Sequence, residues 1–62
     1  MRTINNINNE IKWEQISLDA MKAELTKRKT TGEPTEHLLY WIDASESILH
    51  HLKLELAELE NQ

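Results

Sequence analysis

The chain has 62 residues, a formal net charge of −4 and no cysteine. This length allows one domain at most, over residues 1–62, and the missing cysteines exclude disulfides and thiolate metal sites. The acidic balance argues against a protein that wraps a nucleic acid backbone. Because so small a chain buries only about 60% of its unfolded surface, we expect oligomerisation to supply part of its stability.

The composition favours helix over the whole chain. It combines one glycine, one proline and no phenylalanine with many Glu, Leu, Lys and Ala residues. No run approaches the roughly 18 consecutive apolar residues of a membrane span, and Arg2 is followed by polar, Asn-rich sequence that does not resemble a signal peptide. We therefore expect an all-α protein of the cytoplasm, or of the host cytoplasm if the protein is viral.

The first helix is predicted from about residue 3 to residue 30, with Thr3 or a nearby Asn as its cap. Its main apolar stripe has the spacing of a coiled-coil seam and comprises Ile4, Ile7, Ile11, Leu18, Met21 and Leu25. Glu14 and Arg28 occupy the two polar positions of this seam. We expect Glu14 at a solvated edge, while roles in fixing the register or in contacting a histidine stay open.

A second apolar stripe lies almost opposite the first on the same helix. It comprises Trp13, Ile16, Ala20 and Ala23. A helix that is apolar on two opposed sides is normally buried on both, so one side should meet the second helix and the other a second molecule. The sequence thus predicts a dimer interface at these four residues, with Leu39 or Leu54 of the second helix as possible additions.

A short turn at residues 31–33 is the only predicted break. Gly32 can adopt the left-handed conformation that ends a helix, and Pro34 suits the first position of the next one, with Thr31 or Glu33 as its cap. The cations just before the turn suit the negative end of the helix dipole. A connection this short joins antiparallel neighbours.

The second helix is predicted from about residue 34 to residue 61. Its apolar face spans roughly 120° at about 100° per residue. That face comprises Leu38, Trp41, Ile42, Ile48, Leu49, Leu52, Leu56 and Leu59. Folding the chain at Gly32 places Met21 opposite Trp41, which is therefore expected to be buried, and Ser45 gives room to its neighbours. The prediction is an antiparallel helical hairpin that forms a homodimeric four-helix bundle.

The charges suggest an alternative function. Residues 1–31 carry a net charge of +2 and residues 32–62 carry −6, so the two helices should attract each other. A basic strip on the first helix would comprise Lys22, Lys27, Arg28 and Lys29. An RNA- or DNA-binding regulator using this strip, similar in architecture to the plasmid RNA-binding four-helix bundles, is the alternative reading.

Catalytic and metal-binding patterns are missing from the sequence. The histidines are His37, His50 and His51. His50 and His51 are chain neighbours that point about 100° apart, so they are poorly placed to hold one ion, while His51 and Glu55 lie one turn apart and could form only a weak two-ligand site. No arranged nucleophile and base, paired carboxylates in a pocket, or Gly-rich phosphate loop is recognisable. We expect no enzyme activity, no metal and no cofactor, and histidines that flank an interface.

The chain's length, its helix–TTGEP–helix plan and its opening MRTINNINNE resemble the small early proteins of lambdoid bacteriophages, particularly those of the exo–xis region. The resemblance implies an all-helical dimer that acts on host regulation or on the lysis–lysogeny balance through protein contacts. The resulting expectation is a small regulatory protein, an adaptor or inhibitor of a host or viral protein. A purely structural assembly module is a third reading.

Overall fold

A computed structural model describes residues 2–62 as two packed helices. Helix α1 spans Ile4–Thr31 and helix α2 spans Glu36–Glu60. They pack antiparallel as a hairpin of 48 × 16 × 15 Å, and the described residues form no strand. The prediction of an all-α helical hairpin is therefore confirmed. No helix in this part of the chain is both long and apolar enough to cross a bilayer.

Both ends of α1 are capped by side-chain and backbone groups that the sequence indicates. The hydroxyl oxygen of Thr3 accepts a hydrogen bond from the backbone N–H of Asn6 at 3.1 Å. At the other end, Gly32 has a φ of 80° and donates its N–H to the carbonyl of Arg28 at 2.8 Å. These bonds satisfy backbone groups that the helix itself leaves free.

Helix α2 begins two residues later than the sequence predicts, because Pro34 lies in the turn and not at the first helical position. The carbonyl of Pro34 accepts a hydrogen bond from Nη1 of Arg28 at 3.2 Å, so it is engaged with a side chain of α1. Thr35 is the cap residue and makes no side-chain capping bond. The helix also ends at Glu60, one residue earlier than predicted.

The predicted caps of α2 are likewise wrong. The hydroxyl of Thr31 donates to the carboxylate of Glu33 at 2.9 Å, so both side chains are engaged with each other inside the turn. Helix α1 itself continues to Thr31, one residue beyond the predicted end. The turn is consequently displaced along the chain to residues 32–35.

The core is a narrow stripe between the two helices. Its buried apolar residues are Ile7, Leu18, Leu38, Ile42, Leu49 and Leu52. Ile11, Met21 and Leu25 are half-buried and pack against it. Alternating spacings of three and four residues along each helix place these side chains on one side, as in a two-stranded coiled coil.

Two large residues of α2 lie outside this stripe, contrary to the sequence prediction. Trp41 is 58% exposed and Ile48 is 48% exposed. Each precedes a buried residue, Ile42 or Leu49, and so lies about 100° round the helix from it. One partner helix covers only the central strip of an apolar arc as wide as roughly 120°, so the margin of that arc stays in water.

A polar pair lies within the seam. Ser45 is buried, and its hydroxyl donates a hydrogen bond to the carboxylate of Glu14, which is half-buried. Glu14 is thus only partly covered, as predicted for an edge position, and the packing of α2 also brings a hydroxyl directly to it. Ser45 also does not make room for Trp41, since more than half of that side chain is exposed outside the core.

The opposite charges of the two helices meet near the chain termini. Nη1 of Arg2 lies 3.0 Å from Oε1 of Glu55 in α2, and the same guanidinium also contacts Glu10. Arg2 precedes α1, and its contact with Glu55 is the one ion pair within residues 2–62 that links the N-terminal half of the chain to α2. Such exposed pairs contribute about 0–1 kcal/mol, so apolar packing holds most of the hairpin together.

Candidate protein interface

One side of the hairpin exposes large apolar side chains from both helices. Trp13 of α1 and Ile48 of α2 line the same groove, whose volume is about 530 Å³. Trp41 precedes Ile48 by seven residues, which is close to two helical turns, and so lies on the same side of α2. We call the surface formed by Trp13, Trp41 and Ile48 the tryptophan face.

The groove has an apolar floor and a charged end. Leu52 is buried beneath it, and Glu14 lines it beside the Ser45 hydroxyl that it binds. Arg2 and Glu10 close the end towards the termini as an ion pair. A surface with exposed aromatic walls and an apolar floor suits an apolar side chain of another protein better than a small polar ligand.

Small side chains lie between the large ones on this face. Ser17 follows Trp13 by four residues, and Ala44 follows Trp41 by three, so both lie on the same side of their helices as these tryptophans. Ala20 lies seven residues after Trp13, and all three small residues are exposed. The distance between the axes of two packed helices depends on the side chains at their contact. The small side chains here would therefore let a helix of another molecule approach closely.

The structure divides the predicted dimer residues between two surfaces. Trp13, 65% exposed, and Ala20 belong to the side of the tryptophan face. Ile16 and Ala23 are also exposed, but they lie farther round α1, roughly opposite the core.

The predicted additions from α2 lie apart from this face. Leu39 and Leu54 are exposed, and each lies more than about 100° round α2 from both Trp41 and Ile48. The sequence prediction assigned Trp41 and Ile48 to the core and so missed them as exposed residues of a candidate interface. The available signal was the width of the apolar arc of α2, which exceeds what one neighbouring helix can cover.

The four residues of the predicted basic strip do not form one surface. Arg28 is half-buried, and its Nε donates to Oε1 of Glu24 at 3.1 Å while its Nη1 bonds to the turn. Lys29 follows Lys22 by seven residues and shares its side of α1, whereas Lys27 lies about 140° away from Lys22. The strip is thereby reduced to Lys22 and Lys29.

A second, smaller groove of about 240 Å³ lies on the side of Lys22. Lys53 and His50 of α2 line it together with Lys22, and the carboxylate residue Glu46 lies among them. The three cationic or titratable groups thus share their groove with an acidic side chain. Any anion bound here would meet that carboxylate as well as the lysines.

The histidines are placed as the helical spacing predicts. The rings of His50 and His51 have centroids 5.9 Å apart and stand at 77° to each other. Nδ1 of His51 donates to the carbonyl of Ser47 at 2.8 Å, so that nitrogen is engaged with the backbone. Among residues 2–62, no group of three or more His, Asp or Glu side chains is arranged to hold a metal ion.

Comparison with known proteins gives no matching family model, no similar curated protein and no similar solved structure. The resemblance to early proteins of lambdoid bacteriophages therefore stays a prediction. The tryptophan face is a surface to which both helices contribute exposed large apolar side chains.

Proposed function

We propose that this protein acts through protein–protein contacts and assembles as a homodimeric four-helix bundle through its tryptophan face. The observation that carries the proposal is the exposure of Trp13, Trp41 and Ile48 on one side of a hairpin. Clustered exposed apolar side chains mark interaction sites, and tryptophan is among the residues that contribute most to binding energy. A second hairpin laid on this face would bury all three.

The surface area supports this assembly. The hairpin exposes 4877 Å². A compact monomer of 7.3 kDa is expected to expose about 4,200 Å², so the hairpin exceeds this by about 700 Å². That excess is close to the roughly 800 Å² that each partner buries in a standard protein interface. The long, thin shape of the hairpin explains the excess, and pairing two hairpins would remove it.

The proposed role of the dimer is regulatory, as an adaptor or inhibitor of a larger host or viral protein. Dimerisation through the tryptophan face leaves other exposed apolar residues on the outside of the bundle. These are Ile16, Leu39, Tyr40 and Leu54. Such side chains offer contacts to a second protein, in line with what the resemblance to lambdoid phage proteins implies.

Sedimentation equilibrium over a wide range of concentrations tests the homodimer. The expected mass is twice the 7.3 kDa of the chain. Trp13→Asp should abolish the dimer because it places a charge in the apolar interface. Leu54→Asp makes the same kind of change at an exposed position away from the tryptophan face and should leave the mass unchanged. A folded wild-type monomer at every concentration contradicts the proposal.

Contact with RNA or DNA is the second candidate function. The observation that favours it is the groove shared by Lys22, His50 and Lys53. Glu46 in the same groove and the net charge of −4 oppose it, which is why it ranks behind the protein interface. Affinity that falls steeply with salt, and that Lys22→Ala weakens, would support this alternative.

A further inference from the structure

The tryptophan face has two levels of bulky side chains separated by small ones. Trp13 and Ile48 line one groove and form the first level. Ala20 and Trp41 each lie seven residues, or about 10 Å at 1.5 Å per residue, nearer to the turn and form the second level. Small residues lie between the two levels. Ser17 lies between Trp13 and Ala20 on α1, and Ala44 lies between Trp41 and Ile48 on α2. We call the two levels the groove level and the turn-side level.

We infer that two copies of the chain pack on this face with their turns at opposite ends, so that Trp41 of each copy lies against Ile48 of the other. The inference rests on the proposed homodimer and specifies its orientation. A two-fold axis that crosses the face near Ser17 and Ala44 brings the turn-side level of one copy onto the groove level of the other. Helix α1 spans Ile4–Thr31, so Ser17 lies near its middle and the α1 helices of the two copies overlap over nearly their full length.

Packing favours this orientation over the parallel one. With the turns at opposite ends, each layer of the interface contains one groove level and one turn-side level, and so three large side chains and one alanine. With the turns together, one layer would contain two Trp13 and two Ile48 side chains, while the other would contain Trp41 and Ala20 from each copy. Interiors pack at uniform density, and only the first orientation divides the bulky side chains equally between the two layers.

The charge at the two ends of the hairpin favours the same orientation. The turn end, residues 22–38, carries four Lys or Arg and three Asp or Glu residues. The terminal end, residues 2–10 and 52–62, carries two Lys or Arg and four Asp or Glu residues. Opposed turns place a net positive end beside a net negative one, whereas aligned turns place like charges together. Charge complementarity of this kind sets the orientation of an interface.

Spin labels distinguish the two orientations directly. The chain has no cysteine, so Glu33→Cys gives one label per copy, in the exposed turn. Opposed turns should separate the two labels by a distance comparable to the 48 Å length of the hairpin, and aligned turns by one comparable to its 16 Å width. Ser47→Cys, near mid-length and exposed, is the control, because its labels should give similar distances in both orientations.

A second measurement tests the contact of Trp41 itself. Trp41→Ala should raise the dissociation constant of the dimer about 30-fold or more, as expected for a buried tryptophan at the centre of an interface. Tyr40→Ala removes a neighbouring aromatic ring that is 72% exposed and should change it little. Circular dichroism checks that both variants stay helical.

The outcomes separate the orientation from the dimer. A dimeric mass with a long distance between the labels, together with weakening by Trp41→Ala, supports the inference. A dimeric mass with a short distance, or an unchanged dissociation constant for Trp41→Ala, overturns the orientation and leaves the homodimer standing. A monomeric mass at every concentration overturns both.

Discussion

The hydroxyl of Ser45 in α2 donates a hydrogen bond to the carboxylate of Glu14 in α1, within an otherwise apolar seam. The serine is buried while the carboxylate is half-buried and borders the groove of the tryptophan face. A carboxylate sealed from water without partners would be costly, so its partial exposure and its hydrogen bond both matter. The pair also joins positions 31 residues apart in the chain, at the contact between the two helices.

Ser45→Ala should lower the free energy of unfolding by about 1 kcal/mol, the usual net value of one hydrogen bond. Glu14→Leu should also destabilise the hairpin, because it leaves the buried Ser45 hydroxyl without its acceptor, whereas the double variant replaces the whole pair by apolar groups and should be close to neutral. Urea unfolding of both single variants and the double variant, at one protein concentration, measures the coupling between the two sites. Strictly additive effects would contradict an energetic role for this bond.

Gly32→Ala should destabilise the hairpin by about 1 kcal/mol through the backbone alone. Gly32 has a φ of 80°, and an added Cβ would meet no atom within 4 Å, so steric clash with neighbours contributes nothing. Gly32→Asn is the matched control, because asparagine tolerates the left-handed conformation better than alanine. Thermal unfolding should rank the variants in the order Gly, Asn, Ala, and equal stability of all three would contradict this explanation.

Each tryptophan should report dimer formation by its fluorescence. In Trp13→Phe only Trp41 emits, and in Trp41→Phe only Trp13 emits, since the chain has two tryptophans. Both indoles are more than half exposed in the hairpin, so burial in a dimer should shift each emission to shorter wavelength as concentration rises. An emission maximum that stays that of a solvated indole at every concentration would exclude that tryptophan from the interface.

Nucleic acid binding should be weak and independent of Lys22. Titration of a fluorescent RNA at low and moderate salt should give little binding, because the chain is acidic and its basic residues are divided among several sides. Lys22→Ala and Lys53→Ala should then behave as the wild type does. The opposite result would be tight binding that both variants weaken, with affinity that depends less steeply on salt concentration in the variants than in the wild type. That result would move the alternative function ahead of the protein interface.

The seven-residue pattern was sufficient to predict the hairpin and most of its core. Leu18, Leu38 and Leu49 are buried where their spacing places them, because a short turn leaves two amphipathic helices no nearer surface than each other. The spacing of residues along a helix gives the direction of each side chain, but it does not tell how much of the apolar face the neighbouring helix covers. Trp41 and Ile48 point close to the core direction, yet the single neighbouring helix leaves them exposed.

Contacts between distant parts of the chain account for the remaining differences. Just before the start of α2, the guanidinium of Arg28 reaches the carbonyl of Pro34, and local helix signals carry no information about that bond. Likewise, the sequence alone shows Glu14 only as a polar break in the apolar stripe of α1. Its partner, the hydroxyl of Ser45, comes from α2 and is known only once the two helices are packed. The candidate interface was half predicted, through Trp13 and Ala20, because these lie on α1 outside its core stripe.

The bond from Arg28 to Pro34 also bears on the order in which the hairpin folds. It spans six residues, so the loop it closes costs little chain entropy, whereas the ion pair between Arg2 and Glu55 closes almost the entire chain. Folding should therefore nucleate at the turn and propagate towards the termini as a zipper of low contact order. Amide hydrogens near the termini should exchange with solvent fastest, since opening that end breaks the fewest contacts.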